Sequence, residues 1–171
     1  WEKAKTFVIR CQNSKYNLYS FTNDGGFIYQ PASTIWGEGG SYGSMTAAGL
    51  WGLYTIKEGL DEGVDWRVNL AWAWINNHYY VDQNYGIKPY PARLLYYYLY
   101  SLAKAAVLWG HETIAGKEWY DDMSKYLISV QQEDGDGNGY WLGTDGDEPD
   151  LVATCWALLA LETKSDLQGM S

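Results

Sequence analysis

The chain has 171 residues, and 47% of them are hydrophobic, which is typical of one folded domain and excludes a disordered chain. The net charge is −9 without any cluster of Lys and Arg, which excludes nucleic acid and disfavours anionic membrane surfaces as partners. No run of 18 apolar residues occurs, so no transmembrane segment is predicted.

Helical periodicity predicts six helices in chain order. In the first, WEKAKTFVIRCQ, Ala4, Phe7, Val8 and Cys11 share one face. The second follows a Ser/Gly-rich loop, with Ser44 as N-cap and Gly59 as stop. The other five predicted helices cover residues 44–59, 64–80, 92–110, 117–132 and 150–162. Long alternating β-branched runs are missing, so the predicted fold class is all-α.

Two long loops interrupt the helices. The first runs from Asn13 to Gly43 and contains Asp24-Gly25-Gly26, a sequence that suits a short β-hairpin. The second, Gln131 to Asp150, carries seven carboxylates and five glycines. Long loops of this kind are usually functional or disordered.

The predicted helices repeat in two classes. FVIRCQ (7–12), WINNHY (74–79) and YLISVQ (126–131) share an aromatic, an aliphatic, three further residues and a polar tip. TAAGLWGL (46–53) and TCWALLAL (154–161) align position for position, and LYYYLYSL (95–102) falls in the same register. A helix that is apolar on all sides is buried, whereas an amphipathic helix exposes its polar face to solvent. Outer and inner helices are therefore expected to alternate.

These repeats resemble the prenyltransferase and squalene-cyclase repeat family, and a subgroup of uncharacterised bacterial repeat proteins within it. The matching positions of the first repeat are Lys3, Ala4, Phe7, Val8 and Gln12, and those of the last are Tyr126, Leu127, Gln131 and Gly135, with Trp141 displaced by an insertion. The resemblance implies an α/α toroid, a ring of paired helices around a central cavity. Residues 1–171 would form one domain of six helices, half of such a ring.

A half ring would leave apolar inner surface exposed, which soluble monomers avoid. We therefore expect either a fragment of a larger ring or a homodimer. The chain starts at Trp1 inside a predicted helix, which fits a processed protein or an excised fragment.

The resemblance implies two chemistries, and the zinc site of the protein prenyltransferases is the first. That site needs an Asp two residues before a Cys, and neither Cys11 nor Cys155 has one. No zinc is therefore expected. His78 and His111 are predicted to be surface or capping residues, and both cysteines are predicted to be buried thiols, with a disulfide between them left open.

The acid of the squalene-type cyclases is the second chemistry. Asp147 and Asp150 match the first and last positions of the family's Asp-x-Asp-Asp motif, but Pro149 stands where the acid should be. These two aspartates are the catalytic candidates. A shifted frame, Asp145 to Glu148, recovers three carboxylates away from the helix start. The alternative is that Asp150 caps the sixth helix.

The segment DGDGNGYWLGTD resembles an EF-hand-type calcium loop. Its oxygen ligands would be Asp134, Asp136, Asn138, the Tyr140 carbonyl and Asp145. Bound Ca²⁺ would have a structural role and would favour an extracytoplasmic location. The alternative is a solvated Gly-Asp turn.

Three functions remain open from the sequence. The preferred one is a binding or scaffold domain with an aromatic inner wall, for which the ten Trp and sixteen Tyr are suitable. The second is an isoprenoid cyclase-like enzyme. The third is a glycan-binding or glycan-processing toroid, whose paired carboxylates would come from Asp121, Asp122, Asp147 and Asp150. The expected ligand is thus apolar or a glycan. Tyr96, Tyr97 and Tyr98 span too wide an arc of one helix to face a single cavity.

Overall fold

The structure is a computed structural model that describes residues 1–32 and 40–168, with side chains up to residue 163. Its helices are α1 (Glu2–Arg10), α2 (Gly43–Leu60), α3 (Arg67–Asn77), α4 (Leu95–Leu108), α5 (Trp119–Val130) and α6 (Asp150–Gln168). Two antiparallel two-residue hairpins complete the described elements: β1 (Thr113–Ile114) with β2 (Lys117–Glu118), and β3 (Gln132–Glu133) with β4 (Gly139–Tyr140). The prediction of a predominantly helical domain is confirmed.

The three helices predicted as apolar pack side by side, with α4 between α2 and α6. We call α2, α4 and α6 the central row. Helices α1 and α3 pack against α2, and α5 packs against both α4 and α6. One continuous hydrophobic core runs through all of these contacts. This arrangement follows from composition, because small residues such as Ala47, Ala103 and Ala106, all fully buried, let helix backbones approach closely.

Helix α4 is buried on every face except one. Its half-buried positions are Tyr97, Tyr100, Lys104 and Leu108, which recur at helical spacing and form a single stripe. Tyr96 and Tyr98 are buried on other faces, so the three consecutive tyrosines do separate as expected. Burial raises the pKa of Tyr96 to about 12, which keeps its phenol neutral.

The long loop before α2 differs from its prediction. No two-stranded hairpin forms around Asp24, and a single bridge between Gln12 and Phe27 replaces it. Gly25 has φ +87°, a left-handed conformation, and a Cβ there would lie only 2.8 Å from the Leu70 carbonyl oxygen. The loop therefore packs its backbone directly on α3 instead of on a partner strand. Residues 33–39 of this loop lie outside the described residues.

Helix α2 is capped from a distant part of the chain. The prediction of Ser44 as N-cap was wrong, because α2 begins at Gly43 and Tyr42 precedes it. The fully buried Asn84, from the α3–α4 connection, accepts a hydrogen bond from the Ser44 backbone N–H through Oδ1 at 2.8 Å. Its Nδ2 donates to Ser44 Oγ at 3.0 Å and to the Arg93 carbonyl at 3.1 Å. Asn84 thus joins the start of α2 to the approach to α4.

Replacing Asn84 with Ala should destabilise the domain by about 2 kcal/mol, because it removes the partner of the buried Ser44 N–H and of the half-buried Arg93 carbonyl. Chemical denaturation of wild type and Asn84→Ala would measure the difference. Asn69→Ala is the matched control, since Asn69 is exposed on α3, and it should change the free energy of unfolding by less than about 0.5 kcal/mol. Equal effects of the two substitutions would contradict the capping role.

Candidate functional site

The loop before α6 places one carboxylate at the first turn of α4. Glu148 is fully buried, and its Oε1 accepts a hydrogen bond from the Tyr97 N–H at 2.8 Å. Its Oε2 accepts one from the Tyr96 N–H at 3.3 Å and one from the Thr144 hydroxyl at 2.6 Å. N–H groups in the first turn have no partner within their own helix. Glu148 therefore caps α4 and places its charge at the positive end of the helix dipole.

Arg93 joins the same acidic loop to α4. Its guanidinium pairs with Asp145, at 3.1 Å between Nε and Oδ2, and with the Asp147 carboxylate. Asp145 Oδ1 also accepts hydrogen bonds from the N–H groups of Asp147 and Glu148, at 2.8 and 3.1 Å. Asp147, one of the two catalytic candidates, is thus an ion-pair partner on the surface.

Asp150, the other catalytic candidate, is the first residue of α6. The residue before the helix is Pro149, whose carbonyl accepts the first hydrogen bond, from the Ala153 N–H at 2.9 Å. The Asp150 carboxylate accepts a hydrogen bond from the Gly143 N–H at 2.7 Å. It therefore lies within the first turn, where its charge is favourable, and ties the acidic loop to that turn.

The pKa of Glu148 is raised above its ordinary value of 4.5. Burial is the largest cause, because it removes the carboxylate from water, and the charge of Asp145 adds to it. The hydrogen bonds from Thr144, Tyr97 and Tyr96 act in the opposite direction but do not outweigh burial. The folded protein therefore holds this proton more tightly than the unfolded chain does.

Glu148 should give the stability a defined pH dependence. A raised folded-state pKa contributes stability that is fully present below pH 4.5 and is lost as the pH rises through the folded-state value. The free energy of unfolding of wild type relative to Glu148→Gln should therefore increase as the pH falls towards 4.5. Urea unfolding of both proteins across that range measures it.

Glu112→Gln removes an exposed glutamate and controls for the loss of one negative charge. Glu148→Leu should cost about 3 kcal/mol, since it leaves the Tyr96 and Tyr97 N–H groups unpaired. If the difference in the free energy of unfolding between wild type and Glu148→Gln does not change with pH, the raised pKa of Glu148 is refuted.

The residues of the predicted calcium loop have other partners in the structure. Asp134 closes the turn between β3 and β4, because its Oδ1 accepts hydrogen bonds from the Asp136 and Asn138 N–H groups, both at 2.9 Å. Hydrogen bonds, first of all from the Asn138 side chain, lower the pKa of Asp134. Tyr140 lies in β4 opposite Gln132. Within the described residues no group of three or more His, Cys, Asp or Glu converges on a metal position.

Calcium binding by this loop stays a prediction, and binding would require Asp145 to leave Arg93. Extracellular calcium modules bind with dissociation constants of about 10⁻⁴ to 10⁻³ M, which isothermal titration calorimetry can detect. Asp136→Asn should abolish the heat of binding. Asp122→Asn changes an aspartate of α5 that pairs with Lys117 of β2, and it should leave the heat unchanged. Equal heats of binding for wild type and Asp136→Asn would exclude this loop as the calcium site.

Four half-buried rings form a continuous surface across the central row. The Tyr100 ring lies 5.7 Å from Trp51 of α2, edge to face, and 5.0 Å from Trp156 of α6, nearly parallel. Tyr97 lies 5.5 Å from the same Trp156 ring. We call Trp51, Tyr97, Tyr100 and Trp156 the central aromatic row. Because these rings pack on one another, they are held in fixed positions while part of each remains exposed.

The central aromatic row borders an apolar groove between α1 and α2. The groove has a volume of about 320 Å³ and is lined by Trp1, Ala4, Val8, Ala48, Trp51, Gly52, Thr55 and Ile56. Lys104, on the exposed stripe of α4, lies one helical turn beyond Tyr100. The surface is therefore mostly apolar, with a cation beside it, and suits a ligand that offers C–H-rich faces.

A second aromatic cluster lines a cleft of about 480 Å³, which the sequence reasoning missed. His78 lies between Trp74 and Tyr85, at 4.4 and 4.3 Å between ring centroids. Across the cleft Ser41 donates a hydrogen bond to Asp24 at 2.6 Å. His78 Nδ1 lies 2.8 Å from the Trp74 carbonyl, so Ser41, His78 and Asp24 are not arranged as a hydrolase relay. The spacing of Trp74 and His78, four residues apart on one helix face, was the available signal.

The two cysteines have different environments. Cys11 is buried, and burial raises its pKa to about 11, so it behaves as an apolar residue. Cys155 is exposed on α6, so its predicted burial was wrong, and both thiols are free. Both histidines lie beside aromatic rings. His78 is the C-cap of α3. The His111 ring lies 4.1 Å from the Trp72 ring, just after the end of α4, and burial lowers the pKa of His111.

Comparisons with protein-family models, curated proteins and solved structures found no match to this chain. Within the described part of the chain, no helix is both long and apolar enough to cross a membrane.

Proposed function

We propose that this protein is a binding domain built from repeated helix pairs, and that the central aromatic row is its ligand surface. The ligand class is a molecule with C–H-rich faces, either an isoprenoid chain or a glycan. The observation that carries the proposal is that Tyr100 lies between Trp51 and Trp156, so that three neighbouring helices each present an aromatic ring to the same half-buried surface.

The architecture proposed for this domain is half of an α/α toroid. Its support is the order of contacts: α4 packs between α2 and α6, while α1, α3 and α5 pack against this row. In such a ring the half-buried stripe of α4 would face the central cavity. Tyr97, Tyr100 and Lys104 lie on that stripe, which is the least buried face of α4.

A binding role is favoured over cyclase chemistry by what the carboxylates do. A cyclase acid must reach an alkene from the wall of a dry cavity. Asp147 pairs with Arg93 and Asp150 with the Gly143 N–H. Glu148 has a raised pKa, but it is fully buried and its oxygens already accept three hydrogen bonds. Each acid near the start of α6 therefore serves the fold.

Ligand binding should be detectable through the tryptophans of the row. We expect intrinsic fluorescence to change on titration with one of two probes, farnesol for an isoprenoid or cellohexaose for a glycan. Tyr100→Ala should weaken binding of that probe by about tenfold or more, about 1.4 kcal/mol, since it removes the ring between the two indoles. Tyr100→Phe keeps the ring and should bind within a few-fold of wild type.

Tyr90→Ala is the control for a general loss of aromatic surface, because Tyr90 is 69% exposed in the α3–α4 connection. Saturable binding of farnesol alone would identify an isoprenoid ligand, and binding of cellohexaose alone a glycan. The proposal fails if neither probe changes the fluorescence, or if Tyr100→Ala and Tyr90→Ala bind equally well.

A further inference from the structure

The polar residue that ends each of the repeated segments 7–12, 74–79 and 126–131 follows an outer helix. In the first two segments this residue contacts the first residue of the next outer helix. Gln12, after α1, donates through Nε2 to the carbonyl of Arg67, the first residue of α3, at 2.9 Å. The equivalent Tyr79, after α3, has its hydroxyl 3.5 Å from the carbonyl of Trp119, the first residue of α5. The third equivalent is Gln131, after α5, which is half-buried. By this register Gln131 lies where the start of another outer helix would be.

Helix α6, the last helix of the central row, exposes residues whose equivalents in the earlier helices are buried. In the aligned segments, Cys155 and Leu158 occupy the positions of Ala47 and Leu50 in α2 and of Tyr96 and Leu99 in α4. The equivalents in α2 and α4 are all buried. In contrast, Leu158 is 49% exposed, Leu151 is 77% exposed and Cys155 is also exposed. Helix α6 therefore presents an apolar face that the earlier central helices use for packing.

The opposite end of the molecule offers a complementary surface. The α1–α2 groove is apolar, and Ala48 and Gly52 leave room between its larger side chains for leucines. In the repeat register the first turn of α1 would lie beside Gln131 and the β3–β4 hairpin. That turn and the next carry exposed Lys3 and also Lys5, which pairs with Glu62 of its own chain, whereas the hairpin region carries exposed Glu133, Asp134 and Asp136. Lys3 thus offers a charge opposite to that of the hairpin.

We propose that the α5–α6 end of one copy of this chain docks on the α1–α2 end of a second copy. Leu151, Leu158 and Leu159 enter the α1–α2 groove of the second copy, and the acidic β3–β4 hairpin meets Lys3. The contact is heterologous, because each copy offers two different surfaces. It therefore allows two copies to join through two equal contacts and close a ring. The proposal does not depend on any ligand.

Light scattering coupled to size-exclusion chromatography tests this on the 171-residue chain without ligand. Wild type should have the mass of an assembly, and Leu158→Glu should have the mass of one chain. Gly52→Glu should also be monomeric, because it places a charge in the groove; its Cβ would meet Val8 at 3.7 Å, an ordinary contact. Tyr90→Glu is the control, since Tyr90 is exposed between α3 and α4, and it should stay assembled.

Mixing the two monomeric variants provides the decisive measurement. Leu158→Glu keeps an intact groove and Gly52→Glu keeps an intact α6 face, so together they should form a one-to-one pair. Cys155 gives an independent readout, because its reaction with a thiol reagent should be several-fold slower in wild type than in Leu158→Glu. Circular dichroism confirms that each variant is folded, and Leu151→Glu replaces Leu158→Glu if that variant is not.

Three results would overturn the proposal. The first is a wild-type monomer at the highest soluble concentration, with Cys155 freely reactive. The second is an assembly that persists in folded Leu158→Glu and Leu151→Glu variants. The third is an assembly that persists in Gly52→Glu, which would indicate that two α6 faces pair with each other and leave the groove unused.

Discussion

The cap that Glu148 provides for α4 is the interaction on which the central row depends. Helix α4 packs against both α2 and α6, so the position of its first turn fixes both contacts. Leu94, just before that turn, has φ +54°, a conformation that costs a residue with a Cβ about 1–2 kcal/mol. It is kept because Glu148 holds the N–H groups after it, while Arg93 before it is held by Asp145 and Asp147.

A helix of the central row is capped by a distant side chain in two places, and each cap connects successive helices of that row. Asn84 caps α2 from the connection that leads to α4, and Glu148 caps α4 from the connection that leads to α6. Helices α2 and α4 are therefore each capped by the segment that leads to the next central helix. This gives the loop rich in carboxylates before α6 a structural role, because its charges neutralise Arg93 and satisfy a helix end.

The sequence predicts those features that depend on local pattern. The helix periods place α2 within one residue of its bounds, 43–60 against 44–59, and the three segments predicted as apolar form the helices that pack side by side as the central row. Features set by residues distant in sequence were missed. Both caps join positions 40 or more residues apart. The predicted fifth helix begins two residues early, because Lys117 and Glu118 pair with Thr113 and Ile114 across a turn with positive φ at Ala115 and Gly116.

The exposure of Cys155 shows why repeat position matters as much as residue type. Cys155 and Ala47 occupy equivalent positions of α6 and α2, and both are small and apolar, yet Ala47 is fully buried. The difference is that a further central helix, α4, lies beside α2, while no described helix lies beyond α6. In a repeat architecture each unit is stabilised by its own core and by its neighbours. Among the described residues α6 therefore has one such interface fewer than α4, and its apolar residues remain exposed.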